Sequence, residues 1–207
     1  MKRALRFFRL SNIRALPIVA TAAALFCSPQ LFAQESVFTL DPSKSTIEFT
    51  LGASLHTVHG TFRLKRGEIH FDPAKGTATG AIVVDALSGE SGNEGRDKKM
   101  HQEILESPKF SEIIFIPRRV QGTIAPQGTS QVSISGVMKL HGQDHEMTLN
   151  FAVQPGTPGQ AQAATTFSVP YVKWGLKNPS TFLLRVTDSV DVDVHASGQL
   201  TLASPHQ

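Results

Sequence analysis

Cysteine is almost absent from this sequence, and its apolar runs are short. The 207 residues include one cysteine, Cys27, one tryptophan and one tyrosine. Cys27 lies in an N-terminal segment with the pattern of a removable leader, so the rest of the chain cannot form an internal disulfide. No later stretch approaches the roughly 20 apolar residues of a transmembrane helix. The chain must therefore be held together by its core, and 40% hydrophobic with 18% charged residues is sufficient for one.

The first 33 residues have the pattern of a secretory signal peptide. A basic segment precedes the apolar run Ile18 to Phe26, and small residues end at Ala33. The basic residues are Lys2, Arg3, Arg6, Arg9 and Arg14. The pattern predicts that residues 1–33 are removed, that the mature chain begins near Gln34, and that the protein is periplasmic or secreted. A lipid anchor at Cys27 is the alternative, although Phe26 is a poor match to the small residue that such processing needs.

The positive charge of the whole chain is concentrated in this leader. The sequence has 20 Lys and Arg against 17 Asp and Glu, a formal net charge of +3. The leader holds five of the 20 basic residues and none of the 17 acidic ones, so the remaining chain carries 15 against 17, or −2. The basic pI of about 9.2 thus belongs to the leader, and nucleic-acid binding loses its main support. We expect no nucleic-acid partner and no stable membrane insertion.

Most of the remaining sequence alternates between apolar and polar residues. In Thr46 to Ala53, for example, Ile47, Phe49 and Leu51 alternate with polar neighbours, which is typical of a strand with one buried face. Strands are predicted over 46–53, 62–71, 77–85, 112–120, 131–140, 146–153, 165–174, 181–187 and 190–194. Turns are predicted at Arg66-Gly67, 72–76 and 141–145, a bulge or edge at Pro117, and a flexible loop over 154–164.

One stretch between these strands is predicted as a helix. Ser91 and Glu94 have the spacing of a capping box, which places the start at Ser91, and the proline that follows places the end near Glu106. Met100 and Ile104 are four residues apart and share one face. A single narrow apolar stripe on a short helix favours a lid, and we expect Met100 and Ile104 to close a barrel over a ligand.

Eight to ten short antiparallel strands in one domain favour a sandwich or a closed barrel. The barrel is preferred because the inserted helix can cap an open end. The predicted fold is therefore all-β, an antiparallel barrel of about eight strands with one short capping helix, over residues 34–207. The interior of such a barrel holds one small ligand or is filled by side chains.

Several short motifs follow one another in a fixed order. They are Phe38-Thr-Leu-Asp41 with Ile47-Glu-Phe49, Val58-His-Gly60-Thr-Phe62, Phe71-Asp72-Pro73, Arg96-Asp97, Lys109-Phe110 leading to Ile114-Phe115, and Gly136 to Gly142 running into Met147-Thr-Leu149. In order and spacing they resemble the YceI family of secreted lipid-binding or polyisoprenoid-binding proteins. The resemblance implies a lipocalin-like barrel with no catalytic residues and no cofactor, whose apolar interior binds a polyisoprenoid or quinone-like lipid. Departures from the family pattern at Lys44-Ser45 and at Tyr171 to Gly175 imply a different head-group recognition.

The candidate ligand-binding residues are large apolar side chains predicted to face the interior, together with a polar pair on the helix. The apolar residues are Phe49, Leu51, Phe62, Phe71, Met100, Phe110, Phe115, Met138, Leu149, Phe151 and Trp174. Any barrel needs such residues as plain core, so both interpretations stay open at each position. In the polar pair, Arg96 could bind a phosphate or quinone oxygen at the mouth. The alternative is that Arg96 and Asp97 only dock the helix on the barrel rim.

Histidine pairs provide a second hypothesis for function. His56 and His59 are three residues apart, and His141 and His145 flank a hairpin turn, so each pair could supply two zinc ligands. Zinc sites need three or four converging ligands, and no cysteine or fixed carboxylate adjoins these pairs. No nucleophile elbow, phosphate loop or mature cysteine nucleophile is found.

The preferred function is therefore a periplasmic or secreted, non-catalytic protein that sequesters or carries a long-chain apolar ligand, of isoprenoid or similar type. The alternative is a His-dependent metal-binding protein or metal hydrolase on the same barrel. The predicted partner is an apolar small molecule, and the sequence leaves a homodimer open.

Overall fold

Nine antiparallel strands close into a barrel in the computed structural model, which describes residues 35–202. The strands are β1 (Ser36–Leu40), β2 (Thr46–Leu51), β3 (Val58–Asp72), β4 (Thr77–Glu90), β5 (Glu112–Gln121), β6 (Ser130–Leu140), β7 (Gln143–Pro155), β8 (Gln160–Val169) and β9 (Val190–Thr201). The strands pair in the order β3-β2-β9-β8-β7-β6-β5-β4, and pairing of β4 with β3 closes the ring. The predicted antiparallel, lipocalin-like barrel of about eight strands is confirmed. The predicted signal peptide and Cys27 lie outside the described residues.

β1 and β2 together occupy one position of the barrel, which is why nine strands form an eight-position ring. β1 pairs with the second halves of β3 and β9, and β2 pairs with their first halves. A 3-10 turn, Pro42–Lys44, separates the two strands. Asp41 caps this turn, because its Oδ1 accepts a hydrogen bond from the backbone N of Ser43 at 2.9 Å.

The predicted capping helix is present, but it is shorter and has a different N-cap. It consists of α1 (Glu94–Lys99) and a π-helical turn, Met100–Ile104. Asn93 is the N-cap, and its Oδ1 accepts a hydrogen bond from the N of Arg96 at 3.0 Å. The predicted capping box is wrong because Ser91 is hydrogen-bonded to the side chains of Arg96 and Asp97. No helical segment within residues 35–202 is long and apolar enough to cross a membrane.

Two local predictions for the strands are confirmed. The register shifts between Pro117 and Arg119 where β5 pairs with β6, as expected for a proline at a bulge. The predicted hairpin between β6 and β7 is present but tighter than 141–145: it turns at His141 and Gly142, with φ of 52° and 74°, and β7 begins at Gln143. Two central residues with positive φ match the turn type that suits the twist of a two-residue hairpin.

Two other local predictions are wrong. Arg66-Gly67 is not a turn, because both residues lie within β3 and a register shift after Leu64 marks a bulge there. Residues 154–164 are not a flexible loop, since β7 and β8 leave only the turn 156–159 between them. Ala161 and Ala163 are buried, and β8 pairs with β9 along its whole length, so tertiary pairing outweighs the weak strand propensity of alanine and glutamine.

Residues 170–189 form a long connection, so the predicted strand 165–174 ends at Val169 and the predicted strand 181–187 is wrong. The connection is held to the loop 52–57 by pairing of Ala53 with Val186 and by a hydrogen bond from Ser54 N to Arg185 O at 2.9 Å. This connection, the loop 52–57 and α1 lie at one end of the barrel, since β2, β4 and β8 end there and β3, β5 and β9 begin there. We call this end the mouth and residues 170–189 the mouth connection.

Candidate ligand-binding site

The barrel encloses a cavity of about 620 Å³ whose lining is almost entirely apolar. All nine strands contribute, and because successive strand residues point to opposite faces, the lining on β2 is Ile47, Phe49 and Leu51. The volume falls within the roughly 300–1,000 Å³ that is usual for small-molecule sites. The interior is therefore only partly filled by its own side chains.

Most of the candidate residues chosen from the sequence line this cavity. They are Phe49, Leu51, Phe62, Phe71, Arg96, Met100, Phe115, Met138, Leu149, Phe151 and Trp174. Phe110 does not: its ring lies 4.5 Å from that of His141 and packs against Gly142. Asp97 does not either, and its carboxylate accepts a hydrogen bond from the N of Ser91 at 2.9 Å. Contact of the lining residues with a ligand stays a prediction.

Other lining residues were not selected from the sequence. They occur on all nine strands and on the mouth connection, and those of β8, β9 and the connection include Phe167, Tyr171, Leu176, Leu184, Val186, Val190, Val192 and Val194. The valines of β9 alternate with polar residues, so their inward direction was visible in the sequence. The residues of the mouth connection have no periodic pattern, and only the folded barrel brings them to the cavity.

Glycines make room for two neighbouring phenylalanine rings of the cavity wall. The rings of Phe49 and Phe62 lie 5.4 Å apart and are tilted by 44°. A Cβ on Gly60 would lie 2.3 Å from the Phe49 ring and from the carbonyl oxygen of Glu90, and a Cβ on Gly89 would lie 2.5 Å from the Phe62 ring. These strands therefore need glycine where the aromatic wall is built.

The helical segment covers the mouth through its π-helical turn. Met100 and Ile104 both line the cavity. Between them, His101 connects the turn to the barrel: its Nε2 lies 2.8 Å from the carbonyl oxygen of Gly89 and its Nδ1 lies 2.8 Å from the hydroxyl of Ser107. Because a carbonyl only accepts, Nε2 carries a hydrogen, and in the neutral ring Nδ1 accepts from the hydroxyl of the fully buried Ser107. Sequence reasoning missed this anchor.

Lys99 lines the polar edge of the cavity together with Arg96. The Nε of Arg96 donates to the hydroxyl of Ser91 and its Nη2 donates to the carbonyl of Ser91, each at 2.7 Å. The same hydroxyl donates a hydrogen bond to the carboxylate of Asp97. Arg96 and Asp97 are thus both hydrogen-bonded to Ser91, the residue after β4, and Arg96 also lines the cavity, so both interpretations of the pair stay open.

Aromatic residues of the mouth connection complete the wall. The indole of Trp174 stacks on the imidazole of His145 with ring centres 4.1 Å apart. Burial lowers the pKa of His145, and the charge of Asp144 opposes this shift. Tyr171 donates its hydroxyl to the carbonyl of Thr187 at 2.6 Å, and burial raises its pKa to about 12. At neutral pH both groups are therefore uncharged next to the apolar cavity.

The histidine pairs do not assemble a metal site in the part of the chain that is described. No group of three or more His, Cys, Asp or Glu within residues 35–202 could hold a metal ion. His59 Nδ1 lies 3.1 Å from the hydroxyl of Thr50, and His141 Nε2 lies 3.4 Å from Glu106. His145 is stacked on Trp174. Within the described residues, these histidines have separate local contacts and share no converging carboxylate.

The chain belongs to the family of proteins with a YceI-like domain, whose model matches residues 38–198. This agrees with the motifs and with the closed barrel. It is also similar to solved structures of the same fold. BcnA of Burkholderia cenocepacia is 15% identical in sequence, with a TM-score of 0.62. The match covers 77% of this chain and 99% of the BcnA chain. A polyisoprenoid binding domain from Saccharophagus degradans is 17% identical in sequence, with a TM-score of 0.59. The match covers 79% of this chain and 98% of that domain.

Curated relatives match only in part. UDP-N-acetylglucosamine 1-carboxyvinyltransferase of Acidobacterium capsulatum is 28% identical over 102 residues, covering 47% of this chain and 22% of the relative. A transferase of the same description from Staphylococcus epidermidis is 24% identical over 151 residues, covering 70% and 34%. The chain thus spans between a fifth and about a third of the length of these relatives.

Proposed function

We propose that this protein is a non-catalytic carrier or store for a long-chain apolar ligand of isoprenoid type, and that it works in the periplasm or outside the cell. The observation that carries the proposal is the apolar cavity of about 620 Å³ beneath the π-helical turn. Water in such a cavity lacks hydrogen-bond partners, whereas an apolar chain gains about 25 cal/mol for each Å² of lining that it covers. A chain-like hydrophobic ligand is therefore the occupant that suits the lining.

The choice of an isoprenoid or quinone-like lipid is supported by the fold and by the polar edge. The Saccharophagus degradans neighbour is described as a polyisoprenoid binding domain, and this chain has the same fold. Arg96 uses two N–H groups on Ser91, and a guanidinium has five donors in all. The remaining donors suit a phosphate, hydroxyl or quinone oxygen at one end of a chain that otherwise lies in the barrel.

Extraction of the purified protein with organic solvent, followed by mass spectrometry, tests the proposal. We expect a long-chain lipid at a stoichiometry close to one per chain. Ala163→Trp places a large side chain in the cavity and should reduce the extracted lipid strongly. Ser168→Trp, exposed on the outer face of the same strand, is the matched control and should not.

Two results would contradict the proposal. The first is a folded protein that yields no lipid and also fails to quench or shift the fluorescence of Trp174 when a polyprenol or a quinone is added. The second is stoichiometric metal in elemental analysis of lipid-free protein, which would favour the metal-binding alternative.

A further inference from the structure

Large apolar side chains are exposed at the mouth, on the tip of the long connection. Phe182 is 95% exposed and Leu183 is 82% exposed. They are the middle residues of a turn in which Thr181 N donates to Leu184 O at 2.8 Å and Leu184 N donates to Thr181 Oγ1 at 3.1 Å. Such turns favour Gly, Pro, Asn, Asp or Ser. The geometry of the turn therefore does not explain why two neighbouring apolar residues occupy it.

A third exposed apolar residue lies on the segment paired with this connection. Leu55 is 78% exposed and directly follows Ser54. Ser54 N donates to Arg185 O at 2.9 Å, and Arg185 N donates to Ser54 Oγ at 3.2 Å. The two segments are thus held together by hydrogen bonds. We call Leu55, Phe182 and Leu183 the apolar tip.

The apolar tip borders directly on the cavity. In the connection, Thr181, Leu184 and Val186 line the cavity, and the exposed residues of the tip lie between them in sequence. On the paired segment, Ala53 and His56 line the cavity on either side of Leu55. A surface that covers the tip would therefore also cover the rim of the mouth.

From residue 170 to residue 187 the long connection carries positive charges only, and the first acidic residue after them is Asp188. The only charged residues between 170 and 187 are Lys173, Lys177 and Arg185, and all three are exposed. Within residues 35–202, none of them is ion-paired with a carboxylate. Asp188, the next acidic residue, accepts a hydrogen bond from Asn178 Nδ2 at 2.6 Å. Exposed apolar side chains and exposed, unpaired cations on the same connection suit the interface of an anionic bilayer.

We propose that the apolar tip docks on the surface of an anionic phospholipid bilayer and turns the mouth of the barrel towards the lipid. Phe182, Leu183 and Leu55 enter the boundary between head groups and acyl chains, and the three cations meet lipid phosphates. An apolar ligand then moves between bilayer and cavity without crossing water. This last step rests on the proposed function, whereas the docking itself does not.

Flotation with vesicles of phosphatidylcholine, with and without phosphatidylglycerol, tests the docking. All variants are purified in the same way and share an N-terminus verified by intact mass. We expect binding to the anionic vesicles that weakens with salt. Phe182→Ser with Leu183→Ser should weaken it by about tenfold or more, given the apolar area lost. Leu202→Ser, at an exposed leucine beyond the opposite end of β9, is the matched control and should bind as the wild type does.

The contribution of the cations to docking is tested by a second pair of variants, one at the mouth and one as its control. Arg185→Gln should lower binding to the anionic vesicles and leave binding to phosphatidylcholine alone unchanged. Arg119→Gln, at an exposed arginine in the second half of β5 away from the mouth, should have no effect. Equal binding by all these variants, or no binding by the wild type, would overturn the docking.

Two further outcomes separate the proposals from each other. A protein that yields lipid on extraction but ignores both vesicles overturns the docking and leaves the carrier function standing. A protein that binds vesicles through the tip but never contains an apolar ligand supports the docking and overturns the carrier function. If the tip instead mediates a concentration-dependent dimer in gel filtration, and no vesicle is bound, the occupant is a second copy and the bilayer proposal is wrong.

Discussion

Trp174 and His145 form a face-to-face stack, with planes only 3° apart, between the mouth connection and the β6–β7 hairpin. The stack links the two elements at the edge of the cavity. Burial of the imidazole favours its neutral form and lowers its pKa from the ordinary value of 6.5. The folded state therefore takes up a proton on His145 less readily than the unfolded state does.

From this relationship we predict a loss of stability in mild acid. Because the folded pKa of His145 is below the unfolded one, its contribution is complete above pH 6.5 and is lost as the pH falls through that value and below it. The melting temperature of the wild type should fall over this window, and that of His145→Gln should fall less. His195→Gln, at an exposed histidine on β9, serves as the control. Identical pH profiles for the wild type and His145→Gln would contradict the assignment.

Met100→Lys should empty the cavity and leave the barrel folded. Met100 is half-buried at the mouth, so the lysine can extend its amine to water, and we expect a loss of less than about 2 kcal/mol in the free energy of unfolding. The charge next to the apolar cavity should remove most of the extractable lipid. Gln102→Lys, exposed on the same turn, should retain it.

The measurement is paired: melting temperature for the fold, and lipid per mole of protein for the cavity. A large fall in melting temperature would show that Met100 is plain core. Normal melting with full lipid content would show that the residue does not close the cavity at all.

His101→Ala should loosen the helical segment. The substitution leaves the carbonyl of Gly89 and the buried hydroxyl of Ser107 without the partner they share, which costs about 1–3 kcal/mol. Urea unfolding should show the reduced free energy, and Gln102→Ala is the matched exposed control. An unchanged midpoint for His101→Ala would mean that this connection adds nothing to stability.

Gly60→Ala should destabilise the barrel at the aromatic wall. The new Cβ would lie 2.3 Å from the backbone oxygen of Glu90 and from the ring of Phe49, so a strand must shift, at a cost of about 1–3 kcal/mol. Gly95→Ala is the control, because on α1 its Cβ would meet only Asn93 Oδ1 at 3.5 Å. That change should be neutral or stabilising by up to about 1 kcal/mol. Similar thermal stability of both variants would contradict this account.

Export stays a prediction from the sequence. If the basic segment and apolar run are a leader, the protein recovered from the cell envelope or medium should begin near Gln34. N-terminal sequencing gives the answer directly. Residues upstream of Cys27 in the exported protein would contradict cleavage, and a lipidated Cys27 would establish the anchor instead.

The sequence by itself determined the barrel and part of the cavity lining. Ile47, Phe49 and Leu51 face inward because alternation in a strand is a local property of the pleated backbone, independent of distant contacts. The same period identifies Met138, Leu149 and Phe151. The position of the capping helix was also visible, since its polar start and its apolar pair Met100 and Ile104 are local features.

Only the tertiary structure decided the mouth and the ends of the elements. Val186 reaches the cavity rim because it pairs with Ala53, and residues 160–164 form a strand because β9 supplies their partners. The sequence predicted Phe110 as a lining residue, but its ring packs on His141 of the β6–β7 hairpin. These placements depend on contacts between residues that are far apart in the chain, and the local alternation of apolar and polar residues does not predict such contacts. The side chains of Phe110 and of the mouth connection are therefore positioned by the folded barrel and not by a local sequence pattern.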